Sequence, residues 1–263
     1  MKYSFIVAEG SHDIEVLAQI LKSYSLKRIT KLNKLDPYWD ILVPRKFPID
    51  DDLIQRVPVP TFFQNNELSV ALHYAIGDSK LVKVVSQNLS ILPVTSTISG
   101  IGIILDADTK ELPTTRFSEL KEKLIEPKLN LIQLQSSLPL FPGVVTEGSL
   151  RCGIFVIPDN SSQGTLENIL MECAEINYPD LLKQSRNYID NINTSLLTEK
   201  DLEEFQKSAG KNKAIISGIT SILKPTKTLV TSLQDNRWID EETLKLDRLI
   251  AIRNFVGEII GAL

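Results

Sequence analysis

Short apolar runs that end in turns rich in acids or glycine recur through the first two thirds of the chain. These runs predict strands over residues 3–8, 41–43, 68–76, 100–105 and 152–157. Segments with apolar residues at helical spacing follow several of them and predict helices over residues 11–21, 79–92, 114–124 and 164–176. Between these, residues 129–145 carry two prolines and predict short strands and turns. Strands that alternate with helices predict an α/β fold with a mostly parallel central sheet flanked by helices.

From about residue 178 onward the pattern is mostly helical. Thr198 and Asp201 have the spacing of a helix N-terminal box, and residues 214–223 and 244–260 are apolar at helical spacing. We therefore divide the chain into an α/β domain over residues 1–177 and a helical extension over residues 178–263. The apolar face of the last helix could pack on its own domain, or bind a second copy or another protein; packing is the commoner use.

The amino-acid composition limits the classes of function that the chain could have. Of the 263 residues 43% are hydrophobic, which is enough for a sizeable core, and the formal net charge of −4 argues against a generally basic nucleic-acid coat protein. Two cysteines and two histidines leave little room for a disulfide framework, a zinc site or histidine-based catalysis. We expect a cytoplasmic protein without a membrane span, and an enzyme of this composition would depend on carboxylates.

Acidic residues follow several of the predicted strands. They are Glu9, Asp78, Asp106 with Asp108, and Asp159. Because the carboxyl ends of parallel strands share one edge of a sheet, these acids are expected to converge there. Clustered carboxylates repel one another unless a cation neutralises them, and oxygen-only ligands favour Mg²⁺ or Mn²⁺. The structural alternative for each acid is that it caps the helix that follows.

Two of these turns carry a family resemblance. They resemble the two motifs of the Toprim domain of topoisomerases, primases and overcoming-lysogenization-defect nucleases. The first is a strand followed by Glu9-Gly10-Ser11-His12-Asp13, and the second is a strand followed by Asp106-Ala107-Asp108. A third element, Pro158-Asp159-Asn160 with Gly164-Thr165-Leu166-Glu167, resembles an uncharacterised Toprim-like family of prokaryotes. The resemblance spans about residues 1–175 and implies a Toprim-like fold.

The resemblance also implies roles for single residues. Glu9 would be a metal-associated acid or the general acid or base, and Asp13 would support the acid cluster in catalysis or bind a second cation. Asp106 and Asp108 would bind Mg²⁺ or Mn²⁺, and Asp159 and Glu167 are weaker candidates for a second cation. The sequence departs from topoisomerases and primases after Asp108, and no tyrosine stands out as a strand-passage nucleophile. These departures argue against a topoisomerase.

Three functions stay open at this stage. The first is a metal-dependent nuclease or other phosphodiesterase, in which a lysine near the sheet edge neutralises developing charge. The second is a non-catalytic module that binds nucleic acid or nucleotides, and the third is an effector that binds a partner through the C-terminal helices. For contacts with DNA or RNA the basic candidates are Lys27, Arg28, Lys31, Lys80, Lys83 and Lys110; exposed cations are more often only solvated.

Overall fold

A computed structural model describes residues 1–46, 58–92, 98–108, 111–129 and 131–263. In this part of the chain six strands form one sheet in the order β2-β3-β4-β1-β5-β6. Their bounds are β1 Lys2–Ala8, β2 Lys27–Ile29, β3 Thr61–Gln64, β4 Leu68–Tyr74, β5 Ile98–Asp106 and β6 Arg151–Ile157. The predicted α/β fold with a mostly parallel sheet and a helical C-terminal part is confirmed.

Strand β1 lies at the centre of the sheet because it is apolar enough to be covered on both faces. It pairs in parallel with β4 and with β5, and its residues from Ser4 to Ala8 are all buried. The register ends with Ala8 beside Tyr74 on one side and beside Ile104 on the other. The remaining pairs on the β4 side are antiparallel, so β3 and the short β2 complete that edge.

Helices occupy most of the remaining described chain. Their bounds are α1 Ser11–Ser23, α2 Leu81–Ile91, α3 Pro113–Leu124, α4 Ile132–Ser136, α5 Leu166–Asn177, α6 Pro179–Asp190, α7 Glu199–Leu202, α8 Gly210–Leu223, α9 Leu229–Asp235 and α10 Asp247–Ile260. The predicted box at the start of α7 is present, because Thr198 and Asp201 exchange side-chain and backbone hydrogen bonds.

One sequence prediction of secondary structure was wrong, and a second, of short strands and turns over residues 129–145, was right only for the turns near residues 137–143 and a β-bridge at Val145. The apolar triplet at 41–43 lies at the end of a 3-10 helix, Pro37–Leu42, because Asp36 accepts a hydrogen bond from the Tyr38 N–H and proline starts the turn. Residues 129–145 contain the helix α4, whose Gln135 side chain donates to two carbonyl groups at the end of α3 and just beyond it. The strands β2 and β3 were not predicted.

Contacts divide the chain into two compact units. The first comprises Met1–Leu105, Phe117–Phe155 and Asn254–Leu263. Its core holds the sheet, and the last part of α10 packs into it so closely that a Cβ on Gly100 would approach the Ile259 carbonyl oxygen to 2.0 Å. The rings of Phe155 and Phe255 are also in contact, tilted by 56° with centroids 5.3 Å apart.

The second unit comprises Asp106–Arg116 and Val156–Arg253. Helices α6 and α8 are in close contact, since the Ser185 hydroxyl donates to the Ile215 carbonyl at 2.7 Å and Gly218 faces the same serine. Trp238 is fully buried and donates to the Ser232 hydroxyl. Helices thus have a core of their own here; the predicted boundary at residue 178 stays a prediction.

Helix α10 buries its apolar face within the chain. Leu249, Ile252, Phe255, Val256, Ile259 and Ile260 are all at most 2% exposed. This is the self-packing that the sequence favoured, and a partner interface through the C-terminal helices stays a prediction. Across the described residues, no helix has both the length and the apolar character needed to cross a membrane.

Candidate functional site

In the first unit the ends of β1 and β4 adjoin. The Ala75 N–H donates to the Ala8 carbonyl at 2.9 Å, and the Gly77 N–H donates to the Glu9 carbonyl at 3.1 Å. The parallel register therefore continues past the strands and places the Glu9 turn beside the turn that contains Asp78. Glu9 itself is half-buried.

Asp13 has a structural role at the start of α1. Its Oδ2 accepts a hydrogen bond from the Gly10 N–H at 2.8 Å, and the residue is 8% exposed. Asp13 is the third residue of the helix, so its carboxylate satisfies a backbone donor and interacts favourably with the helix dipole. The capping alternative considered for each acid describes Asp13 well.

In the second unit two elements predicted to carry chemistry meet. The segment Asp106-Ala107-Asp108 leaves β5, and the Ala107 N–H donates to the Ile157 carbonyl at 2.9 Å. One residue further along this segment, the Asp108 carbonyl accepts a hydrogen bond from the Gly164 N–H at 2.8 Å. The second and third motifs of the sequence are thus joined by hydrogen bonds, although more than 50 residues separate them.

The same segment supplies an acid to the N-terminus of α5. Oδ1 of Asp106 accepts a hydrogen bond from the Leu166 N–H at 3.1 Å, and Leu166 is the first residue of the helix. Glu167 follows it, is 5% exposed, and accepts a hydrogen bond from the Thr165 hydroxyl at 2.8 Å. Two carboxylates therefore lie at one helix N-terminus, where the helix dipole favours negative charge.

Gly164 permits this close approach. Its φ of +145° is a conformation that other residues rarely adopt, and a Cβ there would approach Oδ1 of Asn168 to 2.8 Å. That Asn168 oxygen accepts from the Thr165 N–H and completes the helix cap. Asp108 is exposed and also has a positive φ, of 62°, so the chain turns at this acid.

A buried arginine lies beside this segment, and its burial was not predicted from the sequence. Arg116, in the first turns of α3, is 7% exposed, and its Nε donates to the Asp106 carbonyl at 3.3 Å. Nε also lies 3.8 Å from a carboxylate oxygen of Glu111. A buried guanidinium is uncommon enough to mark a site, but the sequence around Arg116 reads only as an amphipathic helix.

Asp159 is engaged in structural contacts. Its Oδ1 accepts from the N–H groups of Ser161 and Ser162 and from the Ser161 hydroxyl, and its Oδ2 accepts from Arg248 at 3.0 Å. Arg248 also pairs with Glu172 on α5. Burial acts to raise the pKa of Asp159, but the hydrogen bonds from the two serines outweigh it and hold the pKa well below its usual range.

The basic candidates are dispersed. Arg28 forms an ion pair of 2.6 Å with the buried Glu15 and lies over the Phe63 ring, so its charge is already neutralised. Lys27, Lys31 and Lys80 are exposed. Lys110 lies outside the described residues. The predicted nucleic-acid contacts of these residues stay predictions.

The described residues contain no group of three or more His, Cys, Asp and Glu side chains placed to hold a metal ion. Glu9 and Asp13 belong to the first unit, whereas Asp106, Asp108, Asp159 and Glu167 belong to the second. Within the second unit the structure links Asp106, Asp108 and Glu167 around the start of α5 and gives Asp159 its own partners.

Comparisons with known proteins identify a family and a similar fold, and none of them names an activity. A family model described as "Protein of unknown function (DUF3226)" matches residues 3–253. The crystal structure of hypothetical protein PH0156 from Pyrococcus horikoshii OT3 is 14% identical, covers 98% of this chain and 95% of its own, and aligns with a TM-score of 0.56. The search of curated proteins found no match. At this identity the structural likeness shows the fold alone.

Proposed function

Because the chain belongs to the DUF3226 family of proteins of unknown function, we propose its function from the site itself: Mg²⁺-dependent hydrolysis of phosphodiester bonds in nucleic acid. The observation that carries the proposal is the meeting of the Asp106-Ala107-Asp108 segment with the start of α5. The Toprim resemblance of the motifs supports the same chemistry.

The donor set suits Mg²⁺ better than other metals. Mg²⁺ is commonly bound by one or two carboxylates and completes its coordination with waters and substrate phosphates. Asp106 and Asp108 fit such a two-carboxylate site, with oxygen ligands only, and Mn²⁺ would fit the same donors. Because three protein ligands are not in place among the described residues, we expect the cation and the substrate phosphate to bind together.

The surrounding residues have separate roles in this proposal. Bound to Asp106 and Asp108, Mg²⁺ would neutralise phosphate charge and activate the attacking water. The Leu166 N–H holds the Asp106 carboxylate in place, and Gly164 fixes the backbone of Asp108. Arg116 places a guanidinium next to Asp106, where it would stabilise charge that develops on the phosphate.

Asp159 and Glu9 stand apart from this ligand set. The four hydrogen bonds to Asp159 favour a structural role over the second-cation role that the resemblance implies. Glu9 belongs to the first unit, and its role as general acid or base is a prediction that the variant Glu9→Gln tests.

A second candidate function is a non-catalytic module that binds nucleic acid or nucleotides. The observation that favours it is the structural use of predicted site acids: Asp13 caps α1, and Asp159 closes its own turn. If its acids serve only to stabilise the structure, a protein can have the fold of an enzyme and still lack catalytic activity.

The experiment that separates the two combines cleavage and binding on one double variant, Asp106→Asn with Asp108→Asn. Asparagine keeps an acceptor for the Leu166 N–H, so the start of α5 is preserved while the charge is lost. We expect cleavage of labelled single- and double-stranded oligonucleotides with Mg²⁺ or Mn²⁺ to fall at least ~100-fold, while binding is retained. Asp180→Asn, at an exposed acid in the first turn of α6, is the matched control.

Two results would contradict the hydrolase. Wild-type protein that cleaves neither DNA nor RNA with either metal rules it out. Salt-dependent binding of oligonucleotides by the wild type, unchanged in the double variant and without cleavage, would establish the binding module instead.

A further inference from the structure

A pocket of about 370 Å³ lies in the first unit at the carboxyl end of β4. Its walls are the end of the 3-10 helix Pro37–Leu42, the last residues of β4 with the turn that follows, and one face of α2. The volume falls within the range of small-molecule sites, and ligands of open α/β sheets bind outside the carboxyl ends of strands. None of the acids discussed above lines it.

Among the described residues that line the pocket, the charged side chains are basic. Lys80 and Lys83 lie on its α2 side, both are exposed, and within the described part of the chain neither is held in an ion pair. None of the described residues that line the pocket is acidic. His73 lies at the pocket wall, but burial lowers its pKa, so the positive charge there comes from the two lysines. An anionic group is the complement of this lining.

The pocket is also unusually apolar for an exposed surface. Three isoleucines line it and remain about half exposed: Ile41 at 55%, Ile76 at 53% and Ile91 at 47%. Single exposed apolar residues are common, but three around one concave site indicate a surface that a ligand covers. The ligand therefore needs an apolar or flat body as well as an anionic group.

Ile76 carries a second sign of a binding site. Its φ is +58°, in the left-handed region, and this conformation is strained for a β-branched residue. Such strain is concentrated at ligand sites and switches. Here it directs an exposed isoleucine into the lining of the pocket.

Two amide side chains complete the lining. Gln87 and Asn88 lie on α2, and Nδ2 of Asn88 donates to the Val84 carbonyl at 2.8 Å, which fixes the orientation of that side chain. Amides present a donor and an acceptor side by side, and this pattern matches the edge of a nucleobase.

We propose that this pocket binds a nucleoside monophosphate, with the phosphate on Lys80 and Lys83 and the base between the isoleucines within reach of Gln87 and Asn88. A nucleoside monophosphate joins a charged group, a polar edge and a flat apolar face in one molecule of suitable size. The inference uses residues of the first unit only and does not rest on the proposed hydrolase.

The test is isothermal titration calorimetry of the full chain with AMP, GMP, CMP and UMP. At least one should bind with a Kd below about 1 mM, and sodium phosphate and the matching nucleoside should each bind at least ~10-fold more weakly. Two outcomes would overturn the proposal: binding of none of the four nucleotides, or binding of phosphate as strongly as the best nucleotide.

Two pairs of variants locate the binding. Lys80→Gln with Lys83→Gln should weaken the nucleotide at least ~10-fold, whereas Lys183→Gln with Lys200→Gln, at exposed lysines of the second unit, should leave it unchanged. Ile91→Glu should abolish binding by placing an acid in the lining, and Ile222→Glu, at an exposed isoleucine on α8, is its control. Equal effects of a variant and its control would place the ligand elsewhere and overturn the assignment.

The proposed hydrolase activity and the proposed nucleotide pocket can be tested independently of each other. Asp106→Asn with Asp108→Asn should leave nucleotide affinity unchanged, and the lysine pair should leave metal binding unchanged. Loss of nucleotide affinity in the aspartate variant would show that the acids, rather than this pocket, hold the nucleotide.

Discussion

Two acidic turns of the second unit follow neighbouring strands and have opposite surroundings. Asp159, after β6, receives hydrogen bonds from Ser161 and Ser162 and an ion pair from Arg248. Asp108, after β5, is exposed and contributes a backbone carbonyl to the turn of Gly164. An acid that is surrounded by donors stabilises the fold, whereas an acid at the surface of the same region is available to a cation and its substrate.

The comparison shows that position at a strand end does not decide what an acid does. In the sequence both turns read as an apolar strand followed by an aspartate, and the resemblance attaches a metal role to each. The partners that separate them are partly local and partly distant: Ser161 and Ser162 follow Asp159 directly, whereas Arg248 lies 89 residues beyond it. The first unit gives the same lesson, because Asp13 is used by its own helix.

The largest expected effect is a difference in cleavage rate between variants of Asp108 and Asp159. Asp108→Asn should lower Mg²⁺-dependent cleavage of an oligonucleotide by about 100-fold, since it removes one of the two charged ligands of the proposed Mg²⁺ site. Asp159→Asn should change the rate less than ~5-fold at a temperature where both variants are folded. Initial rates measured at saturating Mg²⁺ compare them, and a reversed order would overturn the division of roles.

The next effect concerns the ion pairs of Arg248. Arg248→Met should lower the free energy of unfolding by about 2 kcal/mol, because it leaves Asp159 and Glu172 without their partly buried cation. Arg186→Met is the matched control, since the Arg186–Glu175 pair is more exposed and should contribute below ~1 kcal/mol. Urea unfolding followed by circular dichroism measures both, and equal losses would contradict a special role for Arg248.

The smallest effect is the pH dependence of stability that Asp159 contributes. Its pKa in the folded protein is lowered from the ordinary value of 3.8, so the folded state favours the ionised form. The contribution is complete above that ordinary value and is lost as the pH falls through the folded pKa. Asp159→Asn should therefore cost about 1 kcal/mol near neutral pH and progressively less in acid.

Unfolding of the wild type and Asp159→Asn at several pH values from about 7 down to the lowest pH at which both remain folded, well below 3.8, measures this difference. Asp108→Asn serves as the control and should stay within ~0.5 kcal/mol of the wild type, because the side chain is exposed. A cost of Asp159→Asn that does not change with pH would show that its charge is not the stabilising feature.

Sequence patterns predicted most of the fold because buried strands and helix faces require apolar residues in runs or at regular spacing. The strand at Ile98–Asp106 and the helix at Leu166–Asn177 fall where the apolar runs indicated, each within two residues. Local hydrogen bonds override such runs where they are short: residues 41–43 are apolar, but Asp36 and Pro37 make that region a 3-10 helix. The strand Lys27–Ile29 is too short and too basic to show a strand pattern.

The candidate site was predictable only in part. The sequence identified Asp106, Asp108 and Glu167, but the hydrogen bond from Leu166 to Asp106 depends on tertiary structure. Arg116 was missed because nothing in its neighbours indicates that the guanidinium is buried. The half-exposed isoleucines of the pocket are likewise invisible in sequence, since buried and exposed isoleucines read the same.

Anomalous scattering from a crystal of the protein soaked with Mn²⁺ and a short oligonucleotide would locate the proposed metal site. We expect a Mn²⁺ ion between the carboxylates of Asp106 and Asp108, in contact with a phosphate oxygen, and an Asp108→Asn crystal without it. A crystal that contains the oligonucleotide but has no ion at these two residues, or has the ion at Asp159 instead, would rule out this site.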